Sequence, residues 1–185
     1  HVESLAIKPD IDDSDTNDFS KKEGAYKDVY IPTKIKGEDF DLGTGGHYSI
    51  DGKNDTGFYR ETDGMDILDV ESNGDYCVAF NQGEFAKYTF NVVATGVYEL
   101  SLKAGGTAKY SMYFDDMPNP ITVDIRERVL KDSVPINMYF EEGVHTLKIQ
   151  CDEWLYSSPE LRFKIDTINF KSGDAKREEC YEISD

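Results

Sequence analysis

Residues 96–104, "GVYELSLKA", place Tyr98, Leu100, Leu102 and Ala104 on one side of an extended chain and Glu99, Ser101 and Lys103 on the other. Residues 144–151, "VHTLKIQC", repeat the device, with His145, Leu147, Ile149 and Cys151 opposite Thr146, Lys148 and Gln150. Successive side chains of an extended chain point to opposite faces, so a period of two marks a strand with one face on a core and the other in water. "KYSMYFD" alternates as well, and "VATG", "DDMPNP", "FEEG" and "YSSPE" interrupt the runs with turn chemistry. No long stretch carries a helical period. Many short strands divided by turns predict an all-β chain, a β-sandwich of jelly-roll type.

Only 38% of the 185 residues are hydrophobic, so the core must draw on the twelve Tyr and ten Phe. The strand pattern runs over residues 30–171. Residues 1–29, with "DIDDSDTNDFSKKEG", are acidic and nearly free of apolar side chains, and read as a linker or disordered arm. An EF-hand loop counted from Asp13 needs Gly at its sixth position and Glu at its twelfth; Asp18 and Gly24 stand there instead. Residues 172–185, "SGDAKREECYEISD", read as a tail, a short helix or the start of a further domain.

A net charge of -17 repels phosphate backbones and anionic lipid, which argues against nucleic acid and membrane partners; a neutral sugar meets no such penalty. No apolar run is long enough to span a bilayer. The chain begins at His1 rather than Met, the expectation for a processed, secreted or cell-surface piece. Cys77, Cys151 and Cys180 are an odd set, which is not a disulfide framework and leaves room for one pair. Asn54 opens an Asn-Asp-Thr sequon. Nucleophile-elbow, phosphate-loop and His-Glu-x-x-His motifs are absent. Among 37 acidic residues a glycosidase-like carboxylate pair can always be drawn, but sequence sets no separation between them. The expectation is a non-catalytic module.

"IKGEDFD", followed by "GHYSIDGKNDTGFYRETDGMDILDVESNGDYCVAFNQGEFAKYTFNV", resembles the family 6 carbohydrate-binding modules, most closely those attached to polysaccharide-degrading enzymes such as agarases. The counterparts are residues 36–40, Tyr48, residues 51–57, the Tyr59-Arg60 pair, and residues 64–67, 75–80 and 83–92. "GVYELSLKAG", "EEGVHTLKIQ" and "RFKIDTINF" resemble later strands of the family, so the likeness covers about residues 30–171. It implies a jelly-roll sandwich with a sugar site in loops at one end. Two aromatic rings there clasp a pyranose while an asparagine before the last strand binds its hydroxyls. The apolar faces of a sugar pack on rings and its rim of hydroxyls needs fixed polar partners. The implied partners are a polysaccharide or oligosaccharide and an attached catalytic domain.

On this resemblance the first stacking ring falls at Phe80. The family's Gly-Gly-Trp loop has no counterpart in "RERVLKDSVPINMYF", and the binding asparagine falls at Lys164. "CDEWLYSSPELRF" precedes the last strand and holds Trp154 and Tyr156, either a substitute platform facing Phe80 or a plug for the end of the sandwich. Tyr59 and Arg60 either touch a ligand or pin their loop to the sandwich. Glu84 either accepts a sugar hydroxyl or is a solvated edge charge. His145, on the apolar face of its strand, reads as a core histidine. The family also implies a structural calcium between an acid of the opening segment, here Glu38, and one after the last strand, where Lys171 stands with Asp174 nearby. Beside the sugar-binding reading stands a second, a structural or interaction sandwich that has lost its site.

Overall fold

The computed structural model describes residues 24–56, 59–70, 74–115, 117–155 and 158–183. Among these residues the strands are, in chain order, β1 (Tyr30–Ile31), β2 (Thr33–Lys36), β3 (His47–Tyr48), β4 (Asp66–Asp69), β5 (Tyr76–Phe80), β6 (Phe85–Val92), β7 (Gly96–Phe114), β8 (Ile121–Asp132), β9 (Ile136–Phe140), β10 (Gly143–Trp154), β11 (Phe163–Ser172) and β12 (Tyr181–Glu182). Short 3-10 turns occupy Pro159–Leu161 and Arg177–Glu179. Among the described residues no helix is long and apolar enough to cross a membrane.

β7, 19 residues long, belongs to both layers of the sandwich. Its first half lies between β9 and β11; its second half lies between β8 and β10. The change of layer occurs at Gly105–Gly106, where the register against β8 shifts. Gly106 has φ +104°, and a Cβ there would lie 2.3 Å from the carbonyl oxygen of Arg162. Only glycine tolerates both the left-handed backbone and that approach, so the fold of the sheet onto itself is written at this position. One layer is then β9–β7–β11 with β2, β5 and β4; the other is β8–β7–β10–β6 with β1 and β3.

Rings close the gap between the layers. Phe90 of β6 meets Phe170 of β11 at 4.8 Å between centroids and Phe140 of β9 at 5.6 Å; Tyr110 of β7 stacks on Phe163 of β11 at 4.7 Å. β6 alternates without a break, with Ala86, Tyr88, Phe90 and Val92 buried and Phe85, Lys87, Thr89 and Asn91 half-exposed. The predicted alternation of residues 96–104 and 144–151 holds, Leu100, Leu102, Ala104, Leu147, Ile149 and Cys151 all being buried. His145 sits against the core with Nδ1 2.8 Å from Asp115 and Nε2 2.6 Å from the Glu141 carbonyl, a histidine with both nitrogens engaged. All three cysteines are free; burial pushes the thiols of Cys77 and Cys151 up to about 12, which leaves them inert.

The sandwich takes in residues on both sides of the 30–171 span. Gly24 bridges Leu42, Lys27 pairs with Asp39 at 2.9 Å, and the Val29 carbonyl accepts from the Asn91 amide. At the other end β12 pairs in parallel with β9, and the Arg177 guanidinium lies 4.0 Å from the Tyr139 ring. The rest of the acidic arm, residues 1–23, lies outside the described residues.

Candidate functional site

Among the described residues, the positions at which the resemblance places the sugar are enclosed. Phe80 is fully buried, its ring 5.1 Å from that of Phe163 inside the sandwich. A ring enclosed on all sides has no face for a pyranose, so Phe80 is a core residue. Its strand shows why alternation did not reveal this: Cys77, Val78, Ala79 and Phe80 are buried in succession, so neither face of β5 is marked by polar residues.

Trp154 turns inward as well. An unbroken β10 would carry Cys151 and Glu153 to the core and Trp154 to solvent. The register against β7 shifts between Cys151 and Glu153, so Glu153 pairs with Lys109 and Trp154 with the buried Ala108. The bulge exchanges the two faces. Trp154 packs half-buried on the core, and its indole Nε1 donates to the Phe80 carbonyl at 3.2 Å while its amide donates to the Gln82 side chain at 3.1 Å. This is the plug geometry. Tyr156 lies outside the described residues.

Arg60 pins its loop. Its guanidinium rests 3.8 Å from the Phe40 ring and 4.2 Å from that of Tyr26, donates to the carbonyls of Glu38 and Phe40, and pairs with buried Asp63. The Tyr59 hydroxyl donates to Asp39 at 2.9 Å and its ring stacks on Tyr76 at 5.5 Å; burial and these hydrogen bonds push its pKa well up. Tyr59 and Arg60 both have positive φ, 35° and 54°, a conformation that costs on the order of 1–2 kcal/mol per residue and is held here by the buried guanidinium. Glu84 is buried, not solvated: it accepts from Asn81 at 2.7 Å, and desolvation pushes its pKa up. None of these side chains is left with its functional atoms free to meet a sugar.

Lys164 points elsewhere. Its ammonium donates to the Glu160 carbonyl at 3.1 Å, and its stem lines a cavity of about 650 Å³ with Leu68, Val70, Val129 and the Lys103–Asp166 pair. Lys164 and Phe80 therefore stand on opposite faces of one layer and cannot clasp a common ligand.

Glu38 is 3% exposed and its Oε2 has no hydrogen-bond partner; burial pushes its pKa up to about 7. An orphaned buried oxygen is what a hard cation would use, yet the other donors are missing. Gly37 bonds to Asp166, whereas Lys171 lies five residues further along β11, roughly 16 Å away at the rise of a strand. Asp174 lies beyond that. No group of three His, Cys, Asp or Glu side chains among the described residues could hold a metal ion. The late positions that the resemblance pairs with Glu38, at Lys171 and Asp174, do not meet it.

What is open is the outer face of the β8–β7–β10–β6–β3 layer. Tyr48 of β3 is 48% exposed and stacks on Phe85 of β6, 6.1 Å between centroids and 27° between planes. Register aligns Tyr48, Phe85, Gln150, Ser111 and Thr122 in one row across five strands, about 19 Å at the spacing of strands. The next row holds Lys87, Lys148 and Tyr113. The Lys148 ammonium lies 4.4 Å from the Tyr113 ring and 5.2 Å from that of Phe85. Ser111, Thr122, Gln150 and Asp152 are joined by hydrogen bonds, which holds their polar atoms in fixed directions. A cavity of about 350 Å³ opens here, between Gly45 on one side and Met117 on the other. The sequence carried a signal for this face: Phe85 and Tyr113 are aromatics on the water side of well-alternating strands, where burial cannot account for them.

The sequence matches no protein-family model and no curated protein. The fold, however, is shared with solved structures. One is the C-terminal CBM6 of LamC, a marine laminarinase from Zobellia galactanivorans: 13% identity, TM-score 0.52, over 76% of this chain and 98% of that one. A family 35 carbohydrate-binding module from Clostridium thermocellum is 12% identical, with TM-score 0.50 over 76% of this chain and 98% of that one. The GH26-CBM35 β-(1,4)-mannanase of Podospora anserina is 14% identical, with TM-score 0.53, and the match spans 78% of this chain but 28% of that enzyme. The chain has the β-sandwich fold of carbohydrate-binding modules.

Proposed function

We propose that this chain is a non-catalytic carbohydrate-binding module that stacks sugar rings on aromatic side chains and brings an attached or partner enzyme to a polysaccharide. The observation that carries the reading is the exposed Tyr48 ring stacked on half-buried Phe85, on a sheet face whose neighbouring polar groups are already oriented. An apolar sugar face laid on these rings would leave its hydroxyls directed at Gln150 and Thr122, so that burial of the C–H surface does not strand the hydroxyls unpaired. The stacking surface is thus the open sheet face instead of the end loops. The fold supports the reading, because it is used by modules carried on a laminarinase and a mannanase. A secreted or cell-surface setting goes with a polysaccharide partner, and the -17 charge disfavours nucleic acid and membrane insertion.

The test is binding to a panel of soluble polysaccharides by affinity electrophoresis, with wild type beside Phe85→Ala, Tyr113→Ala and Trp154→Ala, with and without EDTA. Retardation by at least one glycan is expected, lost in Phe85→Ala and Tyr113→Ala, retained in Trp154→Ala, and unaffected by EDTA. The burial of Phe80 and the engaged Trp154 indole favour a second reading, a sandwich that serves as a structural or interaction domain; absence of retardation by every glycan would establish it over the first.

A further inference from the structure

Two lysines on the open face are placed where strand pairing disfavours them. Lys87 of β6 and Lys148 of β10 are directly opposite in register. Like charges in that position repel, and sheets ordinarily set an opposite charge there. The chain has no shortage of acids, with 37 against 20 basic residues. Other basic side chains find them: Lys27 with Asp39, Arg60 with Asp63, Lys103 with Asp166, Lys109 with Glu153, Lys131 with Glu127, Arg162 with Asp66 and Arg177 with Glu182. Lys87 and Lys148 have no carboxylate within ion-pair distance among the described residues. Asp115, the carboxylate that shares their cavity, is occupied by His145 and by the Thr146 amide. Lys148 is held in place over two rings, so its ammonium is oriented before any ligand arrives.

From this we infer that the open face selects acidic glycans: a carboxylate or sulfate group on a sugar sits between Lys87 and Lys148 while the neighbouring ring packs against the Tyr48–Phe85 pair. The inference rests on the reading of the face as a sugar site and adds the substrate class. Such an anion relieves the cross-strand repulsion and accepts charge-assisted bonds from both ammonium groups. The near acids are engaged elsewhere, Asp41 by Thr89 and Asp115 by His145 and the Thr146 amide, and charges more than about 8 Å away are largely screened at physiological ionic strength.

Titration calorimetry on the whole chain tests the inference with two matched pairs: tetragalacturonate against its methyl ester, and a κ-carrageenan tetrasaccharide against its desulfated form. Neutral cellotetraose serves as the control. The acidic member of at least one pair is expected to bind ten-fold or more tightly than its neutral partner, and which pair responds separates carboxylate from sulfate. In Lys87→Gln/Lys148→Gln that preference should fall to near one. Equal binding within both pairs, or a preference that survives in the double variant, overturns the inference while leaving the sugar site standing. No binding of any oligosaccharide overturns both. The double variant also reports without ligand: removing the repulsion should leave the melting temperature equal or higher, and a marked drop would mean that the lysines serve the fold.

Discussion

Phe80 and Phe85 are five residues apart and end in opposite worlds. Phe80 closes β5 against Phe163 in the interior; Phe85 opens β6 half-buried on the outer face of its layer, stacked on Tyr48 with the Lys148 ammonium over its ring. The turn of Asn81 to Glu84, anchored by the Gly83 amide on the Cys151 carbonyl, hands the chain from one layer to the other. Residue type thus says little about a stacking platform until the strand's facing is known. The two ends of this turn teach that the aromatic which a resemblance nominates and the aromatic which the sheet exposes can be different residues.

The widest separation between the two is expected in stability. Phe80→Ala empties a filled core position and should cost about 3–5 kcal/mol, with Phe85→Ala costing less than about 1.5 kcal/mol; urea melts of both decide it. Equal losses would mean that Phe85 is also core and would break the comparison.

A smaller effect follows from Glu38. Burial raises its pKa from 4.5 to about 7, so the folded protein holds that proton more tightly than the unfolded chain does. Stability is therefore full below about pH 4.5 and declines as pH rises through about 7, after which it levels. Asp41 and Glu84, also pushed up by burial, slope the same way. Glu38→Gln should gain about 1–3 kcal/mol over wild type at pH 8 and almost nothing at pH 4.5. A constant difference across that range would remove the buried-carboxyl account.

Binding comes next in size. Phe85→Ala should weaken a bound oligosaccharide at least ten-fold, about 1.4 kcal/mol, while Trp154→Ala changes affinity less than two-fold, about 0.4 kcal/mol. The reverse order would return the site to the end loops. Smallest of all, Lys131→Ala, in an exposed pair with Glu127 at 3.5 Å, should move stability by less than about 0.5 kcal/mol and leave binding untouched.

The sandwich was legible because its signal is local. In "GVYELSLKA" and "FAKYTFNV" every second residue is apolar, and each strand carries its own facing. The site was less legible because its determinants are not local. Trp154 reads as solvent-facing until the bulge at 151–153 reverses it, and bulges arise from pairing with a partner strand rather than from the strand's own residues. Phe80 lies in an unbroken apolar run that has no facing to read. Arg60 and Glu84, matched to the family by position, are enclosed by loops whose paths the sequence does not spell out. The open face could have been found: Lys87 and Lys148 stand on the polar sides of two clean alternations, and only their pairing across strands required the structure.

Amide and indole NMR shifts of the labelled protein, recorded on adding cellotetraose and tetragalacturonate, test the central claim most directly. The account predicts that shifts concentrate on residues 85–89, 111–115 and 146–150, with the Trp154 indole still. Shifts at the Trp154 indole and residues 81–84 and 158–164, with the sheet face silent, would contradict it.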